Sequence, residues 1–212
     1  MTKLEWDIAG EHYYEAGLDH GVLFLSNDMG VPWNGLKAVR ESPSGGDPKP
    51  YYLDGIKYLN VASSEEFDAT IEAFSSPLEF APYEGVGSIG NGLFVTQQQR
   101  KSFGLCYQTR LGNDMESTDH GYKLHIVYNA LASPSERGNR TLGGTTDPVS
   151  LSWGITTTPV AIGTHKPSGH LMISSIEAGE TRMDELEDIL YGTVSSDSRL
   201  PSPVELVSIF GV

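Results

Sequence analysis

Cysteine is almost missing from this sequence: Cys106 is the one cysteine in 212 residues, so no internal disulfide can staple the fold. None is required, because a chain of this length buries roughly 70% of its extended surface. Cys106 sits inside a strand-like pattern and reads as a small buried hydrophobe, not a reactive thiol. Basic residues are also scarce, with 14 Lys and Arg against 28 Asp and Glu and a net charge of -14. That balance excludes a protein that grips nucleic acid through a basic face. It suits a solvated acidic surface that repels phosphate. Long hydrophobic runs are absent, and no segment approaches the ~20 apolar residues of a membrane-spanning helix. Met1 to Gly10 has no apolar signal core. The expectation is a soluble protein made in a cytoplasm, without membrane association.

Catalytic signatures are lacking as well. There is no G-x-S-x-G elbow. Gly85-Val86-Gly87-Ser88-Ile89-Gly90 spells G-x-G-x-x-G, but no buried strand precedes it and an extended segment, Leu93-Phe94-Val95-Thr96, follows. A phosphate cradle needs a strand before it and a helix after it, so this is a glycine loop. The six histidines, His12, His20, His120, His125, His165 and His170, show no helix-borne zinc spacing. Asp19-His20 and Asp119-His120 are adjacent pairs, and neighbours on a strand point to opposite faces. Glu65-Glu66 stands at a segment edge and Asp184-Glu185 in a helix first turn, where the helix dipole favours acids. No enzyme, cofactor or metal site is expected.

What the sequence holds in quantity is strand pattern. Gly at 24 and Pro at 12 fit a turn-rich β protein. Val22 to Leu25 is a short apolar run closed by Ser26-Asn27-Asp28. Phe67, Ala69, Ile71 and Ala73 alternate with Asp68, Thr70 and Glu72. The same period recurs at Phe103-Leu105-Tyr107, Tyr122-Leu124-Ile126-Tyr128 and Val149-Leu151-Trp153-Ile155, and Leu171 to Ile176 adds another candidate. Antiparallel sheets with one core face and one polar face write this pattern.

Helices are predicted late. Thr181 to Asp184 resembles a capping box, Met183, Leu186, Ile189 and Leu190 form a stripe, and Gly192 stands at the C-cap. Ser202 is the N-cap of a second helix, with Pro203 first, Glu205 completing the box, and Leu206, Ile209 and Phe210 on one face. Both are too short to stand alone and must pack on sheets or on a neighbour. Exposed turn-rich loops are predicted at 41–50, 84–92 and 137–147. One domain over 1–212, with a C-terminal helical segment 181–212, is the economical division. Trp6, Trp33 and Trp153, with Tyr13, Tyr14, Tyr51, Tyr52 and Tyr58, could line a carbohydrate platform. Trp153 sits on the apolar side of its strand, while Trp33 lies in a turn where it could anchor an interface.

The stretch from Gln97 to Asp114 and that from Gly121 to Arg137 resemble the major tail tube proteins of long-tailed, siphovirus-type bacteriophages, especially those of actinobacteria. Similarity continues in order through Tyr13 to Leu23, Trp33 to Leu36, Glu41 to Gly45, Gly55 to Asn60, Glu65 to Phe74, Leu151 to Ala161, Asp184 to Gly192 and Arg199 to Pro203. The resemblance implies a structural virion protein of two packed antiparallel β-sheets with a flanking helix and short C-terminal helices. Its subunits would close into hexameric rings that stack into a hollow tail tube, assembled in the host bacterial cytoplasm, through which DNA is ejected. The implied partners are the chain itself and the tape measure, tail terminator and tail-tip proteins, with DNA passing unbound. A ring-stacking loop is then expected at Ser44, Gly45, Gly46 and Asp47, and lumen-facing acids at Asp68 and Glu72. Ending at Val212 without an immunoglobulin-like domain, the chain would give a smooth tube. A single-ring tail terminator and a sugar-binding tail-tip module are the alternatives.

Overall fold

A computed structural model describes residues 3–141 and 148–211. The early strands are β1 (Tyr14–Phe24), β2 (Gly30–Pro32), β3 (Leu36–Glu41), β4 (Ser44–Gly45), β5 (Pro48–Leu53), β6 (Ile56–Ala62), β7 (Glu65–Glu66) and β8 (Asp68–Ala73). A 3-10 turn at Leu78–Phe80 precedes β9 (Gly87–Gly90) and β10 (Leu93–Val95). The two long strands follow, β11 (Phe103–Asn113) and β12 (Ser117–Ala132). Then come β13 (Leu151–Thr157), β14 (Val160–Ile162), β15 (His165–Ser168) and β16 (His170–Ser174). Three helices close the chain: α1 (Ser175–Ala178), α2 (Glu180–Tyr191) and α3 (Pro203–Phe210). The protein is mainly β and its strand pairs are antiparallel, as the sequence predicts.

Eight strands form one continuous sheet in the order β2-β1-β11-β12-β13-β8-β3, with β16 also paired to β12. The long β12 makes this branching possible. Its residues Lys123 to Val127 pair with β16 and Ala130 to Ala132 pair with β13, while β11 occupies the other edge. The sheet curls so that its two ends meet: a Cβ on Gly21 of β1 would sit 2.7 Å from Leu36 Cδ2 of β3. Inside the curl lies the larger core, with Leu23, Ile71, Phe80, Phe103, Leu105, Tyr107, Trp153 and Ile155. On β8 the burial alternates as expected, with Ala69, Ile71 and Ala73 buried and Asp68, Thr70 and Glu72 half-buried.

The expected polar face is absent from the middle of β11 and β12, where both faces are covered. Phe103, Leu105, Tyr107 and Val127 enter the first core. Cys106, Leu124, Ile126 and Tyr128 enter a second core with Met183, Leu186 and Leu190 of α2 and Leu206 of α3. The helices thus pack on the sheet, which supplies the stability that their length cannot. Cys106 is fully buried under them, and burial pushes its thiol pKa up.

The two helix starts behave differently. At α3, Ser202 Oγ accepts from the Glu205 backbone N–H at 3.2 Å, with Pro203 in the first position. Glu205 does not reach back to complete the box; its carboxylate binds the Arg199 guanidinium at 2.8 and 2.5 Å. At α2 the Thr181 box does not form. Gly179, with φ of 80°, swings the chain straight from α1 into α2, so Thr181 falls inside the helix and makes no cap bond. Ser202→Ala should therefore cost about 1 kcal/mol, lowering the thermal midpoint by about 2–4 °C. Thr181→Ala should stay within about 0.5 kcal/mol. Thermal unfolding of the two variants side by side checks the contrast.

Candidate functional site: an exposed arm and the polar cluster at its base

Between β3 and β8 the chain leaves the sheet and returns as a two-stranded ribbon. β4 pairs with β7 at its root, and β5 pairs with β6 beyond. Asp54 and Gly55, with φ of 51° and 79°, make the tight turn at the tip, the turn chemistry that asparagine or aspartate followed by glycine favours. The expected loop at 41–50 is thus exposed but strand-bearing, because the turn at 54–55 organises the chain on either side of it.

Every residue of β5 and β6 is exposed. Tyr51, Tyr52, Leu53, Ile56, Tyr58 and Val61 are each at least half exposed, Ile56 to 74%. Apart from its own pairing, this ribbon makes no extensive contact with another element among the described residues. An isolated hairpin is marginal in water, and contiguous exposed apolar surface marks an interaction site. The β9–β10 hairpin presents a smaller patch of Ile89, Leu93 and Phe94.

Five of the six predicted site residues lie at the arm's root. Ser44 and Gly45 pair with Glu66 and Glu65. Gly45 has φ of 78°, and a Cβ there would meet the Ser64 carbonyl oxygen at 2.3 Å, so the position is built for glycine. Gly46 donates its N–H to Ser63 Oγ at 3.1 Å, and Asp47 is exposed. Ser44 Oγ donates to Asp68 Oδ2 at 2.7 Å, which joins the expected loop to one of the expected acids. Glu72 lies further along β8 with its side chain only 18% exposed, flanked by Lys37 Nζ at 3.4 Å and an Arg40 amino group at 3.1 Å. That part of the polar face is charge-balanced, not purely acidic.

Behind the root is a polar cluster that sequence reasoning missed. Tyr107 Oη donates to Glu41 Oε1 at 2.7 Å. His125 Nδ1 lies 3.4 Å from the same oxygen and 3.1 Å from His170 Nε2. On its other side, His125 Nε2 is 3.1 Å from Thr109 Oγ1, whose hydroxyl donates to Glu15 at 2.5 Å. Lys123 Nζ holds the other oxygen of Glu15 at 2.6 Å. Tyr107, His125, His170 and Phe67 stack in sequence. Burial lowers the pKa of both imidazoles, taking His170 down to about 4, so both are neutral at pH 7. Burial alone would raise the Glu15 pKa, but its bonds to Lys123 and Thr109 outweigh that and hold it below the usual range. Glu41, His125 and His170 come from β3, β12 and β16, and no sequence spacing links them.

Other sequence candidates resolve one by one. Asp19 and His20 do pair, at 2.8 Å, against the alternation rule. The reason is a break in the β1 ladder between Asp19 and Val22, with His20 at φ of 49°, which turns both side chains to one side. Asp119 and His120 do not pair; His120 binds Glu116 at 2.6 Å instead. Trp33 is a core residue, 3% exposed, packed on Phe80 and Trp153 and donating to the Ser75 carbonyl at 2.9 Å. It cannot anchor an interface. Trp153 is also buried, as expected, so neither tryptophan can serve a carbohydrate platform. The G-x-G-x-x-G segment runs into β9 and a hairpin, with no helix after it. The loop expected at 137–147 lies outside the described residues from 142 onward. Among the described residues, no helix is long and apolar enough to cross a membrane.

No family model and no curated protein matches the chain. Solved structures overlap it loosely. A chain of the anti-feeding prophage baseplate shares 8% identity over 80% of this chain and 97% of its own, with a TM-score of 0.37. The sheath–tube complex of the extracellular contractile injection system PVC, in its extended state, shares 14% over 81% and 94%, at 0.30. The tube-terminating cap of the anti-feeding prophage shares 12% over 82% and 96%, also at 0.30. Overlaps this loose fix neither a fold nor a role.

Proposed function

We propose that this chain is a structural subunit of a phage-type tail tube, and that its principal partner is another copy of itself. One observation carries the reading: a ribbon of exposed tyrosine, leucine, isoleucine and valine side chains projects between β3 and β8, and no other element among the described residues covers it. A monomer gains nothing from holding that surface in water. A neighbouring copy that covers it gains apolar burial at roughly 25 cal/mol per Å². The ordered resemblance to major tail tube proteins along the sequence supports the same partner.

In this reading the subunits close into hexameric rings, and the arm with its root at Ser44 to Asp47 reaches the next ring of a siphovirus-type tail. Such head-to-tail contacts are heterologous, so rotation closes the ring and translation extends the stack. Asp68 and Glu72 would face the bore, and the net charge of -14 lets DNA slide past unbound. Tape measure, terminator and tail-tip proteins would complete the virion tail. No catalysis is proposed.

Concentrating the purified chain and imaging it by electron microscopy tests the reading. Hollow rods are expected, and a helical reconstruction would report ring number, arm seat and bore lining together. Single rings that never stack would favour a terminator. A particle that stays monomeric and binds glycans would overturn the proposal.

A further inference from the structure

We propose that Glu41, His125 and His170 form a three-ligand site for a divalent metal ion of the zinc class. Their ligand atoms converge within 4.8 Å of one another. The separations around His125 Nδ1, 3.1 Å to His170 Nε2 and 3.4 Å to Glu41 Oε1, match the edge of a tetrahedron. Ligands about 2.0–2.1 Å from zinc stand about 3.3 Å apart. Two imidazoles and a carboxylate are a donor set that zinc and cobalt accept.

The hydrogen bonds around the site favour the tautomer that a metal needs. Thr109 gives its one hydroxyl proton to Glu15, so it can only accept from His125. The His125 proton therefore sits on Nε2, and Nδ1 presents a lone pair toward Glu41 and His170. Without an ion, that lone pair faces the carboxylate oxygen and depends on a proton from His170. A cation satisfies all three groups at once. The supporting shell has the form found around metal-bound histidines: His125 is backed through Thr109 by the Glu15 carboxylate, and Glu41 is oriented by the Tyr107 hydroxyl.

Access is also present. Glu41 and His170 line a cleft of about 1140 Å³ beneath the arm, together with Ser64, Glu65 and Lys166, which gives an ion a route and leaves a fourth coordination position to water. The charges fit a dication: Glu15 is compensated by Lys123, and Glu41 remains. A bound ion would tie the end of β3, where the arm begins, to β12 and β16, so its role is structural.

The test is titration of the untagged, metal-stripped chain with cobalt(II) alone, read by visible absorption, followed by zinc competition. One equivalent per chain is expected, displaced by zinc, with affinity falling at least tenfold in both His170→Ala and Glu41→Gln. Both positions are partly exposed, and far-UV circular dichroism shows whether each variant keeps its fold. Zinc should also raise the thermal midpoint of the wild-type chain and leave that of Glu41→Gln unmoved, a readout independent of colour. Absence of stoichiometric binding, or binding unchanged in both folded variants, overturns the site.

Discussion

Replacing Leu53 and Ile56 with aspartate should abolish assembly while leaving the subunit folded. The two residues face each other across the tip of the arm, beside the Asp54–Gly55 turn, and are 58% and 74% exposed. Neither is in a core, so the change within the monomer should stay within about 0.5 kcal/mol. In a contact that covers the tip, two carboxylates would be taken out of water beside apolar groups. Each uncompensated charge costs several kcal/mol there, which is a loss of at least a thousandfold in association for the pair. Light scattering and electron microscopy should show rods from the wild-type chain and only monomers from the double variant. Unfolding curves should coincide. Rods of normal yield from the double variant would remove the arm from the interface.

Trp153→Ala should be the most destabilising single truncation in the larger core. The indole is 2% exposed and meets Phe80 edge-on at 5.3 Å and Trp33 at 5.7 Å. Its Nε1 donates to Glu84 Oε2 at 3.1 Å, an oxygen that Arg137 also holds. Truncation leaves a cavity between the two halves of the curled sheet and takes a donor from Glu84. Losses of about 3–5 kcal/mol are typical for such a change, against a total stability of about 5–15 kcal/mol. In urea the midpoint should fall by roughly 1–3 M. Trp153→Phe refills most of the space but not the hydrogen bond, so it should cost about 1–2 kcal/mol. Equal losses in the two variants would assign the effect to Glu84, not to the cavity.

The strands were legible where one face is dry and the other wet. β8 reads directly from Asp68 to Ala73, because each outward residue is polar. β11 and β12 are legible by the same period, and the burial of Cys106 by its own chemistry, yet the rest of the second buried face is not, since Gly104 and His125 pass for neutral positions in a polar row. Ser202 was legible because its cap is local; Thr181 was not, because its fate depends on how α1 delivers the chain. The arm escaped for a related reason. Its apolar residues occupy both faces of a ribbon, so the two-residue period vanishes, although Asp54-Gly55 carried a hairpin signal. Trp33 was misplaced because a turn says nothing about what packs over it. The cluster of Glu41, His125 and His170 was beyond reach in principle, since three strands distant in sequence create it.

The isolation of Cys106 has a practical consequence. This chain's one thiol is sealed between the sheet and α2, so no labelling reagent can reach it until that helical cover lifts. The rate at which a small thiol reagent modifies the native protein therefore counts the openings of one layer, without any engineered probe. Compared before and after association, that rate would read how far contacts made at the arm tighten the helical cover over Cys106.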